Sequence, residues 1–169
     1  MFYPIEKKMK TKLRNSLHLK NAKILLITGR MDPKKNIHIA LKLMLKLKKT
    51  NNNIILLISY LLPSDQTEIK YEMQIREIIQ NYNLQKQCYL LPNGYERFQP
   101  AELIGISDCV CSFSDTEIFP LILLESIACK IPFLSSNSEI QELYSEFRHK
   151  KPLSWKRISQ RISCLFTQL

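Results

Sequence analysis

A doubly wound α/β fold with a parallel sheet is the architecture this sequence predicts, and three features carry the expectation. Short apolar runs such as residues 23–28 (KILLIT) and Ile54–Tyr60 (IILLISY) read as strands buried on both faces. Segments with apolar residues at helical spacing separate these runs and are long enough to serve as crossovers. The two kinds of segment alternate along most of the chain, the order that a layered sheet requires.

The elements follow in turn. The first strand, 23–28, ends at Gly29, and Ile37, Ala40, Leu41, Met44 and Leu47 then recur at helical period. A small polar turn, Asn51-Asn52-Asn53, leads to the second strand, 54–60. Ile69, Met73, Ile75, Ile78, Ile79 and Tyr82 set a helix over 68–82. Residues 87–91 read as a third strand, 100–107 as a short helix and 109–113 as a fourth strand. The next helix runs to Cys129, with Pro120 at its first helical position, where a missing N–H costs nothing, and with Leu121, Leu124 and Ala128 as its buried stripe. Pro132 opens a fifth strand, 132–135. A helix from Ser138 to about Phe147, a polar break at His149-Lys150-Lys151-Pro152 and a terminal amphipathic helix on Trp155, Ile158, Ile162 and Leu165 close the series.

At 169 residues, with 45% hydrophobic and 24% charged residues, the chain suits one globular domain with a real core. No apolar run approaches the roughly 20 residues that span a bilayer, and the N-terminus does not read as a secretory signal. Cys88, Cys109, Cys111, Cys129 and Cys164 are odd in number and lie mostly in apolar segments, as reduced, buried thiols of a cytoplasmic protein do. Cys109 and Cys111 share one face of a strand, but no second pair or nearby His completes a zinc set, so no metal is expected. His18, His38 and His149 stand singly and form no acid–base pair.

The net charge of +10 and a pI near 9.4 would suit an anionic partner. Lys42, Lys46 and Lys49, however, fall opposite the apolar face of their helix and read as a solvated surface. Lys7, Lys8, Lys10, Lys12, Arg14, Lys20 and Lys23 crowd the start of the chain and read as a solvated linker and helix, or as a weak membrane-surface contact. Nucleic-acid binding is not expected, because no base-stacking aromatic motif or helix-turn-helix pattern accompanies the charge.

Two segments hold residues suited to chemistry. After the first strand comes Gly29-Arg30-Met31-Asp32-Pro33-Lys34-Lys35-Asn36, in which Arg30 offers a planar fork and Lys35 a point charge. After the fourth strand, Glu117 precedes a helix and Glu125 lies inside it. Such a loop, at the carboxyl end of a strand and the amino end of a helix, is where open α/β sheets bind nucleotides. Taken singly, the cations also fit a surface turn, Glu117 a favourable helix-end charge and Glu125 an exposed helical position.

Glu117 and Glu125 resemble the E-x7-E signature of the family-4 (group 1) nucleotide-sugar glycosyltransferases, which have the GT-B fold, and residues 29–36 are similar to that family's G-R-x-x-x-x-K-G or K-N loop. Phe2-Tyr3-Pro4 resembles its inter-domain linker, and Ser154-Trp155 the pair before its last helix. The resemblance implies a linker-like basic segment over 1–22 and a C-terminal, donor-binding domain over 23–169, shortened near 143–154. It implies a retaining glycosyltransferase that takes a nucleotide-sugar as co-substrate, with no other cofactor. Glu117 would be the catalytic residue, orienting donor hydroxyls or stabilising an oxocarbenium-like transition state, and Glu125 would accept the ribose hydroxyls. Gly29, Arg30 and Lys35 would hold the diphosphate, backbone amides of Phe119 and Leu121 would donate towards phosphate or sugar, and Gly94 would stand near the base.

The same resemblance implies that the acceptor-binding domain lies outside this chain. Turnover would then need a separate acceptor-domain protein, and the exposed inter-domain face would favour such a partner or self-association. The chain departs from the family at Ile118, where a glycine is usual, and at Ser136-Asn137-Ser138-Glu139, which replaces a Gly-Gly pair. Those departures support an alternative, a truncated non-catalytic remnant or interaction module that keeps the fold.

Overall fold

The computed structural model describes residues 2–49, 53–114, 120–138, 140 and 142, apart from the side chains of Tyr95 and Arg97. Five parallel strands, β1 (Lys23–Gly29), β2 (Ile54–Tyr60), β3 (Cys88–Pro92), β4 (Cys109–Ser112) and β5 (Phe133–Ser135), form one sheet in the order β3-β2-β1-β4-β5. Around it lie α1 (Lys7–Ser16), α2 (Ile37–Lys48), α3 (Gln66–Asn81), α4 (Gly94–Arg97), α5 (Pro100–Ile106) and α6 (Leu121–Ala128). The fold is the expected doubly wound α/β domain. The parts of the expected C-terminal helices that fall within 143–169, together with His149, the Ser154-Trp155 pair and Cys164, lie outside the described residues.

Side-chain alternation along the strands divides the core into two layers. Ile54, Leu56, Ile58 and Tyr60 of β2 face one way, with Cys109 and Cys111 of β4, and pack against α2 and α3. Ile55 and Leu57 face the other way, with Ile24, Leu26, Val110 and Phe133, and meet α5, α6 and residues of the N-terminal segment. Every residue of β2 is buried, which is why its sequence is a continuous apolar run rather than an alternating one. Each fully buried leucine or isoleucine in these layers contributes roughly 1.5–3 kcal/mol.

The basic N-terminal segment is docked on this frame through α1. Arg14 donates from Nε to Ile106 O at 2.8 Å, from Nη1 to Ala22 O at 3.2 Å and from Nη2 to Asp108 Oδ2 at 2.8 Å. Lys10 Nζ adds a bond to Ser107 O at 3.1 Å. Both cations sit on carbonyls at the end of α5, where the helix exposes unpaired acceptors. Gly105 makes room for this docking: a Cβ there would press on Ile5 Cγ1 at 2.6 Å. Lys7, Lys8, Lys12, Lys20 and Lys23 remain exposed, as do Lys42, Lys46 and Lys49.

One expectation fails on α6. Leu121 and Leu124, read as buried, are 71% and 41% exposed, and Ala128 is exposed as well. The helix instead buries Leu123 and Ser126 and packs Ile122 and Ile127 against the core. Its sequence, LILLESIA, is apolar on nearly every side, so spacing alone singles out no face. Ser126 can be buried because its hydroxyl donates to Leu123 O at 2.7 Å. Pro120 is the N-cap rather than the first helical residue.

Among the described residues, no helix is long and apolar enough to cross a membrane. Cys88, Cys109, Cys111 and Cys129 are free and buried, as expected. Burial pushes the Cys88 thiol up to about 12, and a hydrogen bond that the Cys111 thiol donates to Cys109, together with burial, raises Cys111 well above the usual thiol range. These are packing residues without thiolate character.

Candidate functional site

In the order β3-β2-β1-β4-β5 the winding reverses between β1 and β4. At such a switch point the connections leave the sheet in opposite directions, so the carboxyl ends of the two strands open into a crevice. A cleft of about 320 Å³ lies there, lined by Ile27, Thr28 and Gly29 from β1, Cys111, Ser112 and Phe113 from β4, Lys35 from the β1–α2 loop, and Pro120, Leu121, Ile122 and Glu125 from the start of α6.

The β1–α2 loop is shaped locally. Gly29 takes φ +137°, a conformation that side-chain-bearing residues rarely adopt, and a Cβ on it would touch Lys35 Cε at 3.4 Å. Asp32 then caps a short 3-10 turn, Pro33–Lys35, by accepting the Lys34 N–H at 2.9 Å, with Pro33 pre-set at its first position. Asn36 ends that turn at φ +50° and starts α2. This left-handed position explains why the motif closes on Gly or Asn, the residues that tolerate it best. The Asn36 side chain also donates to Phe113 O at 3.1 Å, which ties the loop to the residue after β4.

Glu125 is half-buried on α6, and burial alone raises its carboxyl above the usual range. A carboxylate in that setting gains from hydroxyl donors that would replace lost water. Lys35 is half-buried on the opposite wall. The cleft therefore offers a cation, a carboxylate and the amino end of a helix around one space.

Of the residues expected to form the site, Gly29, Lys35, Leu121 and Glu125 come together here. Glu117 and Phe119 lie outside the described residues. Arg30 is turned aside: its Nε donates to Glu68 Oε1 and its Nη2 stands 3.6 Å from Asp65 Oδ2, both at the start of α3. The physical reason is a buried carboxylate that needs a donor, and it sits 38 residues away in sequence. Gly94 is not part of this cleft lining. It begins α4 against the end of β2, where a Cβ would collide with Ser59 Oγ and approach Leu91 Cδ2 to 3.0 Å, so its smallness serves packing.

Sequence reasoning also missed Glu68 and Asn36. Asp65-Gln66-Thr67-Glu68 carries the pattern of a helix start, and Asp65 does accept the Glu68 N–H at 2.9 Å. That pattern marks the helix without revealing that Glu68 would reach Arg30.

Residues 9–152 match the sequence model of the family described as Glycosyl transferases group 1. Among solved structures, a glycosyltransferase from Rickettsia africae ESF-5 superposes with a TM-score of 0.72 at 20% identity, over 96% of this chain and 42% of that one. HepE of Anabaena, solved in complex with UDP and glucose, gives 0.70 at 20% identity over 83% and 37%. The C-terminal domain of the group 1 glycosyl transferase LpcC from Francisella tularensis gives 0.68 at 14% identity over 86% and 83%. The chain thus spans less than half the length of the first two proteins and most of the isolated domain. At these identities the likeness is one of fold. No curated protein matches the sequence at a significant level.

Proposed function

This chain belongs to the group 1 glycosyl transferases, and from that membership we propose that it binds a nucleotide-sugar donor in the cleft between β1 and β4. The observation that carries the reading is the meeting of Lys35 and Glu125 on opposite walls of one crevice at the switch point. Lys35 would neutralise the charge that builds on the diphosphate as it leaves, which a fixed cation does without solvent reorganisation. Glu125 would accept the ribose hydroxyls. Glu117 would serve the donor sugar and be the catalytic residue for transfer with retention. In this scheme Lys35, joined by Arg30 once it turns from the start of α3, would supply the positive charge, and no metal ion is needed. The solved complexes of HepE with UDP and with UDP-glucose support a nucleotide-sugar as the ligand class.

Turnover would require an acceptor-binding domain beyond this chain. The exposed Leu121 and Leu124, beside the cleft on α6, fit a surface that such a domain covers. The four buried, reduced cysteines suit work in the cytoplasm. Calorimetry with UDP, GDP and ADP and their sugars tests the donor site: saturable heat is expected from the wild type and its loss from Lys35→Ala. A folded sample that gives no heat with any of them would leave the alternative, a non-catalytic module that keeps the fold, which Ile118 in place of a glycine favours.

A further inference from the structure

We infer that Glu68 is the positioning residue of Arg30, holding Nε as a pivot about which the guanidinium turns its outer nitrogens from Asp65 to the diphosphate of a donor. The inference rests on the donor-site reading and deepens it by assigning opposite roles to two neighbouring acids.

Burial separates those roles. The Glu68 side chain is 4% exposed, and its Oε2 accepts the Ser64 N–H at 2.9 Å and the Ser64 hydroxyl at 3.1 Å, while Oε1 takes Arg30 Nε. The Ser64 amide, and then Arg30, hold the carboxyl below its usual range against the effect of burial, so it stays ionised at neutral pH. An ionised carboxylate out of water loses heavily when a donor leaves, so this contact persists when a ligand arrives. Asp65, which caps α3 by accepting the Glu68 N–H, holds Arg30 less closely. It stands 3.6 Å from Nη2, and the two side chains are 52% and 53% exposed. Such a contact is worth little in water and yields to a doubly charged anion.

Arg30 directly follows Gly29, which lines the cleft.

The test uses the full chain and four variants, Glu68→Gln, Asp65→Asn, Arg30→Lys and Arg30→Ala, with UDP, GDP and ADP as probes in calorimetry and with hydrogen exchange of Arg30 Nε–H by NMR. In the wild type, Nε–H should exchange slowly. Glu68→Gln should speed that exchange at least tenfold and weaken nucleotide binding about tenfold, the loss of one well-aimed charge-assisted bond. Asp65→Asn should leave Nε–H protected and nucleotide binding unchanged or tighter. Arg30→Lys keeps the charge but removes Nε, and should weaken binding nearly as much as Arg30→Ala. It also serves if Glu68→Gln does not fold.

Tighter nucleotide binding in Glu68→Gln would mean that Glu68 only sequesters Arg30, and would overturn the assignment. Wild-type affinity in Arg30→Lys or Arg30→Ala, or rapid Nε–H exchange in the wild type, would overturn it too. Failure of the donor reading looks different: no nucleotide binds the wild type. In that event protected Nε–H released by Glu68→Gln would leave only the Arg30–Glu68 ion pair, and the turn towards a diphosphate is overturned with the donor reading.

Discussion

Asn36 reaches from the loop after β1 to Phe113: its side-chain amide donates to that carbonyl at 3.1 Å while its own backbone holds the left-handed φ of +50°. One residue thus sets the direction of α2 and fastens the loop after β1 to the end of β4. The two tasks separate by substitution. Asn36→Gly keeps the backbone and loses the tether, whereas Asn36→Ala loses both. Denaturant unfolding should show Asn36→Ala less stable by about 1–2 kcal/mol and Asn36→Gly by less. Equal losses would show that the tether alone matters.

Gly29→Ala should disturb the site more than the fold. Its φ of +137° strains any side chain, at roughly 1–3 kcal/mol, while the new methyl would only touch the Lys35 side chain. Nucleotide affinity measured by calorimetry should fall together with the unfolding midpoint. Lys35→Ala, by contrast, should lower nucleotide affinity more than stability, because Gly29, Asp32 and Asn36 still shape the loop.

Gly94→Ala should cost about 1–3 kcal/mol, since its Cβ would collide with Ser59 Oγ. That hydroxyl is buried and has no hydrogen-bond partner among the described residues. Ser59→Ala should therefore be neutral or stabilising, and should recover part of the Gly94→Ala loss when the two are combined. A double-mutant cycle reads the coupling directly. Strict additivity would show that Leu91, not Ser59, is the obstacle.

Two carboxylates should respond to pH with opposite signs. The Glu68 carboxyl is held below its ordinary 4.5 in the folded chain, so its contribution is complete above that value and is lost as the pH falls through the lower folded value. Glu125 is raised by burial, so the folded chain binds its proton more tightly and stability declines as the pH rises through 4.5 towards the folded value. Glu125→Gln should then be at least as stable as the wild type at pH 7, and Glu68→Gln less stable. Unfolding midpoints across pH 3–7 check both, and a steep Glu125→Gln loss at neutral pH would contradict this account.

The sheet was legible in the sequence because strands buried on both faces leave an unambiguous signal: β1 and β2 begin where KILLIT and IILLISY begin, and α2 follows its 3.6-residue period. The cleft was legible as far as its chain-local parts went. Gly29, Lys35, Leu121 and Glu125 sit in two short motifs at the ends of adjacent strands, so topology alone brings them together. What escaped were facts set by distant neighbours. Arg30 answers to Glu68 from another crossover, Gly94 answers to Ser59, and α6 buries Ser126, whose hydroxyl is satisfied by Leu123 O within the helix.

Arg14 gathers the end of α5, the residue before β1 and the residue before β4 onto one guanidinium, and Asp108 completes the set by accepting the Ile24 N–H at 2.8 Å. That knot lies at the amino rim of the sheet, whereas the crevice lies at the opposite edge. The domain therefore works like a hand fan riveted at its base. Adjustment to a guest is confined to the open margin, and amide protons around the rivet should exchange only when the whole domain opens.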